Sequence, residues 1–268
     1  MNAMKTHQPR TPWQVTLHVW YAMFMRETMA RMSQDRFGPV WLLLEPVLHV
    51  LIMVSVRSML GRTGRLIPGA EFIPWLVVGV ITFFLFRNIM NRGMAAIDAN
   101  RAMFAYRQVH PTDTIFVRFG LETYLQSIVF VLMIIAFTFV DFHIVPYQPL
   151  EVIWVWLWIA LLGLGVALVL SLPYSLIPEM RKVINLITFP LYMLSGVIFP
   201  VFMFPLAIRE YLMYNPVLHA VELIRIHTFS TYTSVPGIEL AYVQKFAIVS
   251  ILLGLMLQVR FKIKMIAN

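Results

Sequence analysis

The chain has 268 residues, of which 60% are apolar or aromatic and 13% charged, against about a quarter charged in an average soluble domain, so an ordinary soluble fold is excluded. Zero cysteines exclude a disulfide framework, cysteine-ligated metal sites and thiolate catalysis. The net charge of +8 suits either nucleic acid or the basic loops of a membrane protein, and the positions of the lysines and arginines decide between them.

A hydrocarbon core about 30 Å thick takes roughly 20 helical residues to cross. On that scale the chain is expected to be an all-α polytopic membrane protein with six transmembrane helices. Residues 1–38 form a cytoplasmic N-terminus with no secretory-signal pattern. Residues 39–268 form a single transmembrane domain with spans at 39–60, 72–91, 114–140, 152–177, 183–204 and 241–261. The fourth is the most continuous, with 19 positions from Val152 to Leu170 free of charged residues.

Within the N-terminus, Trp13, Leu17, Trp20, Tyr21 and Phe24 recur at helical spacing and share one face. Basic residues follow them, which predicts a helix lying in the cytoplasmic interface plane, as a membrane anchor or a partner contact. The inner loop between spans two and three mixes apolar side chains with arginines and ends at Pro111. A short helix over 100–108 would project Met103, Phe104 and Tyr106 away from the membrane, and such knobs fit a protein partner. Packing back onto the bundle is the alternative.

Three tryptophans, Trp154, Trp156 and Trp158, open the fourth span as an interfacial aromatic belt would. Residues 183–208 are uncharged but interrupted by Pro190, Gly196, Pro200 and Pro205. A straight helix is therefore not expected; the span should break near Gly196 and continue as short helices re-entering the outer leaflet around Asn215-Pro216. Of the charges inside spans, Glu45 and His49 lie one turn apart and suit a hydrogen-bonded pair better than a proton relay, while Glu122 sits in the third span.

Six spans place both termini on one side. With that side cytoplasmic, Lys5, Arg10, Arg26, Arg31, Arg36, Arg87, Arg92, Arg101, Arg107, Arg118, Arg181, Lys182, Arg260, Lys262 and Lys264 fall on the inner segments, fifteen of the 21 basic residues. The positive charge is thus mainly a topology signal, and nucleic acid is not an expected partner. There is no phosphate-binding Gly-Lys loop, no Gly-x-Ser-x-Gly and no potassium filter sequence, and the seven histidines lack metal-ligand spacing. These absences place a polytopic enzyme of lipid or sugar metabolism behind a transporter.

The arrangement of six spans, N-terminal helix and inner-loop helix, with Ser195-Gly196-Val197-Ile198-Phe199-Pro200 followed by Pro205, Asn215-Pro216, His219, Glu222 and Arg225, resembles the permease subunit of type-2 ABC exporters. The stretch Asn100-Arg101-Ala102-Met103-Phe104 leading to Val109, Pro111 and Asp113 is most similar to the capsule polysaccharide export permeases of Gram-negative bacteria. The resemblance implies a bacterial inner-membrane protein that works as a homodimer. Each copy would clasp a separate ATP-binding subunit through a coupling helix bearing Asn100, Arg101, Met103, Phe104, Tyr106 and Arg107, and through the interface helix bearing Trp13, Leu17, Trp20 and Phe24.

It further implies a lipid-linked acidic polysaccharide as cargo and a periplasmic polysaccharide co-polymerase as adaptor. No cofactor is expected in this chain, since ATP and magnesium would be bound by the partner subunit. A sliding polymer needs aromatic stacking and a few polar groups, for which Phe83, Phe84, Phe86, Tyr192 and Phe199 are candidates. Arg87, Arg92 and Lys182 at the inner mouth, with Arg57 near the outer end, are candidates for attracting an anionic chain. O-antigen, teichoic-type glycans or small hydrophobic compounds are the alternative cargoes.

Overall fold

The computed structural model describes residues 11–34, 38–59, 67–142 and 144–267. Lys5, Arg10, Arg36, Arg62 and Arg65, residue 60 at the end of the first expected span, and the side chain of Arg57 lie outside the described residues.

Among the described residues the elements are α1 (Pro12–Gln34), α2 (Gly38–Met59), α3 (Phe72–Met94), the single turn α4 (Ala96–Ala99), α5 (Pro111–Thr138), α6 (Pro149–Leu176), α7 (Pro178–Leu194), α8 (Leu206–Leu212), α9 (Pro216–Thr228) and α10 (Leu240–Ala267). Two 3-10 turns, Arg101–Ala105 and Val201–Met203, complete them.

Proline sets several of the helix starts. Pro111, Pro149, Pro178 and Pro216 each occupy the first turn, where a missing N–H costs nothing and the fixed φ is already helical. At α5 the His110 backbone N–H also donates to Asp113 Oδ2 at 2.9 Å, and at α9 the Asn215 side chain accepts from the Val217 N–H at 3.0 Å. Pro46, Pro173 and Pro190 lie inside α2, α6 and α7.

Of the described helices, four are long and apolar enough to cross a membrane: α3, α5, α6 and Leu240–Met265 of α10. α2 contributes a shorter apolar stretch, Leu44–Ser55. The expected fifth span is not one helix: α7 ends at Leu194, and the chain turns at Gly196, whose φ of +70° is left-handed backbone that a side chain rarely adopts. The short helices expected beyond it are α8 and α9.

α3 forms the centre. Its residues from Trp75 to Phe86 are buried on every face, as a helix hydrophobic all round must be, and α2, α5, α6 and α9 surround it. α6 and α10 form the most extensive helix pair. A Cβ added at Gly165 would lie 2.1 Å from Ser250 Oγ, and one at Gly254 would lie 2.4 Å from Leu168 Cβ. Small residues thus let the two backbones approach closely, the packing that substitutes for a hydrophobic drive between helices in lipid.

The tryptophan belt is only partly present. Trp154 is exposed, but Trp156 is buried, stacks on Phe130 with centroids 4.8 Å apart and donates to Ser127 Oγ at 3.0 Å. A core partner for the ring and for its N–H outweighs an interfacial position.

Candidate functional site

Three groups of polar and aromatic side chains link helices that are distant in sequence. The first ties α1 to α5 and to the α4 turn. Trp20 stacks on Phe116 and donates to Asp113 Oδ1 at 2.9 Å. Arg26 donates to Asn100 Oδ1, Glu27 pairs with Arg118 at 2.9 Å, and Arg31 pairs with Glu122. Glu122 is buried and also has Arg92 at 3.8 Å, so the carboxylate in the third expected span is met by two guanidinium groups.

Apolar packing adds to these links. Val19, Trp20, Met23 and Phe24 of α1 close over Met103, Phe104, Val109 and Val117. The inner-loop expectation therefore needs correcting in two respects. Instead of one helix over 100–108, the chain makes α4 and a 3-10 turn. Met103 and Phe104 turn inward against α1, because the apolar side of α1 lies beside them and removes their surface from water. Tyr106 and Arg107 do project, and Tyr106 is 68% exposed. Asn100 is buried and donates back to the Ala96 carbonyl at 2.8 Å, while Asp98 accepts from Arg101 at 2.9 Å and from Arg181 of the α7 start. The aromatic face expected on α1 divides: Trp20 and Phe24 face the bundle, whereas Trp13, Leu17 and Tyr21 are exposed.

The second group lies between α2, α3 and α7. Arg87 Nη2 donates to Glu45 Oε1 at 2.6 Å and to Asn88 Oδ1 at 3.1 Å, and its guanidinium lies 4.0 Å over the Phe84 ring. His49 hydrogen-bonds the Tyr192 hydroxyl and meets Phe84 and Tyr192 edge to face at 5.7 and 5.1 Å. Phe83 sits against Tyr192 at 4.9 Å. Glu45 and His49 thus go to different partners, Arg87 and Tyr192, rather than pairing with each other. Of the candidate lining residues, Phe83, Phe84, Phe86 and Tyr192 are buried within the chain, and Phe199 is half-exposed. Lys182 is exposed at the start of α7, and Arg92 is mostly exposed beside Glu122.

The third group is a fully buried knot around Arg225 of α9. Its Nη1 donates to Glu222 Oε1 at 2.8 Å and to the Gly196 carbonyl at 2.7 Å, Nη2 to the Val197 carbonyl at 3.0 Å, and Nε to the Trp75 carbonyl at 3.2 Å. The guanidinium also stacks on the Trp75 ring at 3.4 Å. The second oxygen of Glu222 accepts from Tyr232 at 2.7 Å and from Ser234 at 2.5 Å. Burial, with this carboxylate beside it, pushes the Tyr232 hydroxyl well above the usual phenol range and keeps it a donor. One arginine therefore fastens the break after α7 to α3 and α9, and Gly79 leaves the room it needs, since a Cβ there would lie 2.1 Å from Nη2.

Comparison with known proteins matches residues 18–229 to the ABC-2 type transporter family. The chain belongs to this family. Among the relatives of this ABC-2 chain, the polysialic acid transport protein KpsM of Escherichia coli is 34% identical over 238 residues, 88% of this chain and 90% of the relative. The capsule polysaccharide export inner-membrane protein CtrC of Neisseria meningitidis serogroup A is 29% identical over 241 residues, 90% and 89% of the two chains. BexB of Haemophilus influenzae, also named a capsule polysaccharide export inner-membrane protein, is 25% identical over 240 residues, again 90% and 89%. As an ABC-2 permease the chain is a transport subunit and not an enzyme, and a multi-pass membrane protein.

One arrangement in the permease escapes sequence reasoning from motifs alone. The links from α1 to α5 join residues about ninety positions apart, and no local signal pairs them. Glu222 and Arg225 did carry a signal, two opposite charges three residues apart on a mostly apolar helix, a spacing that puts them on one face.

Proposed function

We propose that this chain is the transmembrane permease subunit of an ATP-driven exporter that moves a lipid-linked capsular polysaccharide across the bacterial inner membrane. The observation that carries the reading is the match, along about nine-tenths of both chains, to proteins named for capsule polysaccharide and polysialic acid export. In this reading α2 and α7 complete a six-span arrangement with α3, α5, α6 and α10, both termini are cytoplasmic, and α8 and α9 lie in the outer leaflet. α1 lies along the cytoplasmic interface, with its exposed Trp13 and Leu17 toward lipid. Two copies enclose the path and each binds one ATP-binding subunit, which holds the ATP and magnesium. A periplasmic adaptor continues the route.

The geometry supports a division of labour. The unit of α1, the α4 turn and α5 is joined by side-chain links and apolar packing, so a push on its outer surface displaces α5 rather than bending a loop. Tyr106 and Arg107 present that surface, Asn100 and Arg101 stiffen the turn behind it, and Met103 and Phe104 key it to α1. Arg87, Arg92 and Lys182 face the cytoplasmic mouth, Arg57 belongs to the outer end, and Phe199 is the aromatic candidate left open to cargo, while Phe83, Phe84, Phe86 and Tyr192 are buried and stiffen the helices behind the path. Deleting the gene should abolish surface capsule and leave glycan inside the cell, with rescue by the intact chain, as read by capsule immunostaining of whole and permeabilised cells. Undiminished surface capsule in the deletion strain overturns the reading.

A further inference from the structure

The Glu45–Arg87 pair differs from the sealed ion pairs of the bundle. Both partners are partly accessible, with side chains 38% and 22% exposed, whereas Glu222 and Arg225 are sealed and Glu122 is buried. A pair at such a position contributes only about 0–1 kcal/mol to stability, so fastening α2 to α3 is a poor explanation for it. Its chemistry is more specific than its strength. A guanidinium is the side chain best shaped to hold a carboxylate, through parallel N–H donors that a lysine lacks. Here the guanidinium is stacked on Phe84, its Nε and Nη2 both reach Asn88 Oδ1, and a single donor, Nη2, holds a carboxylate that belongs to the protein itself.

We propose that Glu45 is a built-in stand-in for the carboxylate of an acidic sugar, and that cargo engages Arg87 by displacing it. The inference rests on the polysaccharide-export reading and adds a determinant of cargo charge to it. Exchanging one carboxylate for another keeps Arg87 paired at every stage, and the carboxylate released, Glu45, has a side chain 38% exposed, so it is freed at an open position rather than inside a sealed one. A neutral sugar has nothing to offer in the exchange. Because the net gain is the difference between two similar pairs, an acidic unit is held weakly, as a chain that must slide onward requires. Behind Arg87, the edge contacts of His49 with Phe84 and Tyr192 keep the stacking ring in place when Glu45 swings away.

The test uses the full transporter, permease and ATP-binding partner together in nanodiscs, and two fluorescent probes: an oligogalacturonate and its carboxyl-reduced, neutral counterpart. Glu45→Gln removes the competing charge and should tighten oligogalacturonate binding about tenfold, the scale of one close charge pair, with neutral-probe binding unchanged. Arg87→Gln should abolish the preference for the acidic probe, and Glu45→Gln added to it should restore nothing. Should Glu45→Gln fail to fold, Glu45→Asp, which withdraws the carboxylate by one methylene, should give a smaller shift in the same direction. Equal affinity of native and Glu45 variants for the acidic probe, a parallel gain for both probes, or no binding of the acidic probe by any variant overturns the inference. Capsule rescue in cells judges the export reading separately.

Discussion

The permease holds the same ion pair in two settings. Around Arg225 the arginine and its glutamate are sealed, and main-chain carbonyls and hydroxyls satisfy the remaining donors and acceptors. Between Arg87 and Glu45 one good contact is made and part of each side chain meets the outside. Burial decides what the pair is for. A sealed pair cannot exchange partners without leaving a charge unmatched in a low dielectric, so it works as a rivet. A half-open pair exchanges at little cost and works as a contact.

The contrast can be broken at the rivet first. Arg225→Ala leaves Glu222 buried without its cation and should cost about 3–5 kcal/mol, seen as failure to recover folded protein or a large fall in thermal stability in detergent. Gly79→Ala tests the same knot from the other side, because its Cβ must push the guanidinium out of place; an overpacking cost of about 1–3 kcal/mol is expected, and a melting temperature equal to the native one would show that Arg225 has room to move. Glu45→Gln sharpens the other half of the comparison. It should change stability by less than about 1 kcal/mol, however strongly it alters binding of an acidic glycan. Smallest in stability is Tyr106→Asp, expected within about 0.5 kcal/mol of native, yet it should uncouple ATP hydrolysis in the partner subunit from transport in reconstituted vesicles.

Where the helices run was largely legible in the sequence, because hydropathy and proline act locally. Spans two, three, four and six correspond to α3, α5, α6 and α10, and the break at Gly196 and the start at Pro216 lie where proline and glycine chemistry puts them. How side chains face was less legible. Met103, Phe104 and Trp156 each look outward from their immediate neighbours and turn inward only because α1 or α5 lies beside them. In the candidate site, the basic residues could be named but not their partners: that Arg87 meets Glu45, forty-two positions away, and Arg31 meets Glu122, ninety-one away, follows from packing.

The close approach of α6 and α10 bears on how the protein is made. The two helices meet along Gly165 and Gly254, and α10 leaves the ribosome only after α7, α8 and α9 have followed α6. Until α10 inserts, α6 presents to lipid the uncovered backbone at Gly165, together with Ser171, whose hydroxyl will later accept from Gln258 at 2.6 Å. The nascent bundle therefore carries a visible mark of incompleteness on its most apolar long helix, which vanishes when the partner helix docks. A membrane protease or chaperone that reads exposed small-residue and polar surface has in this seam a physical means of telling an unfinished permease from a finished one.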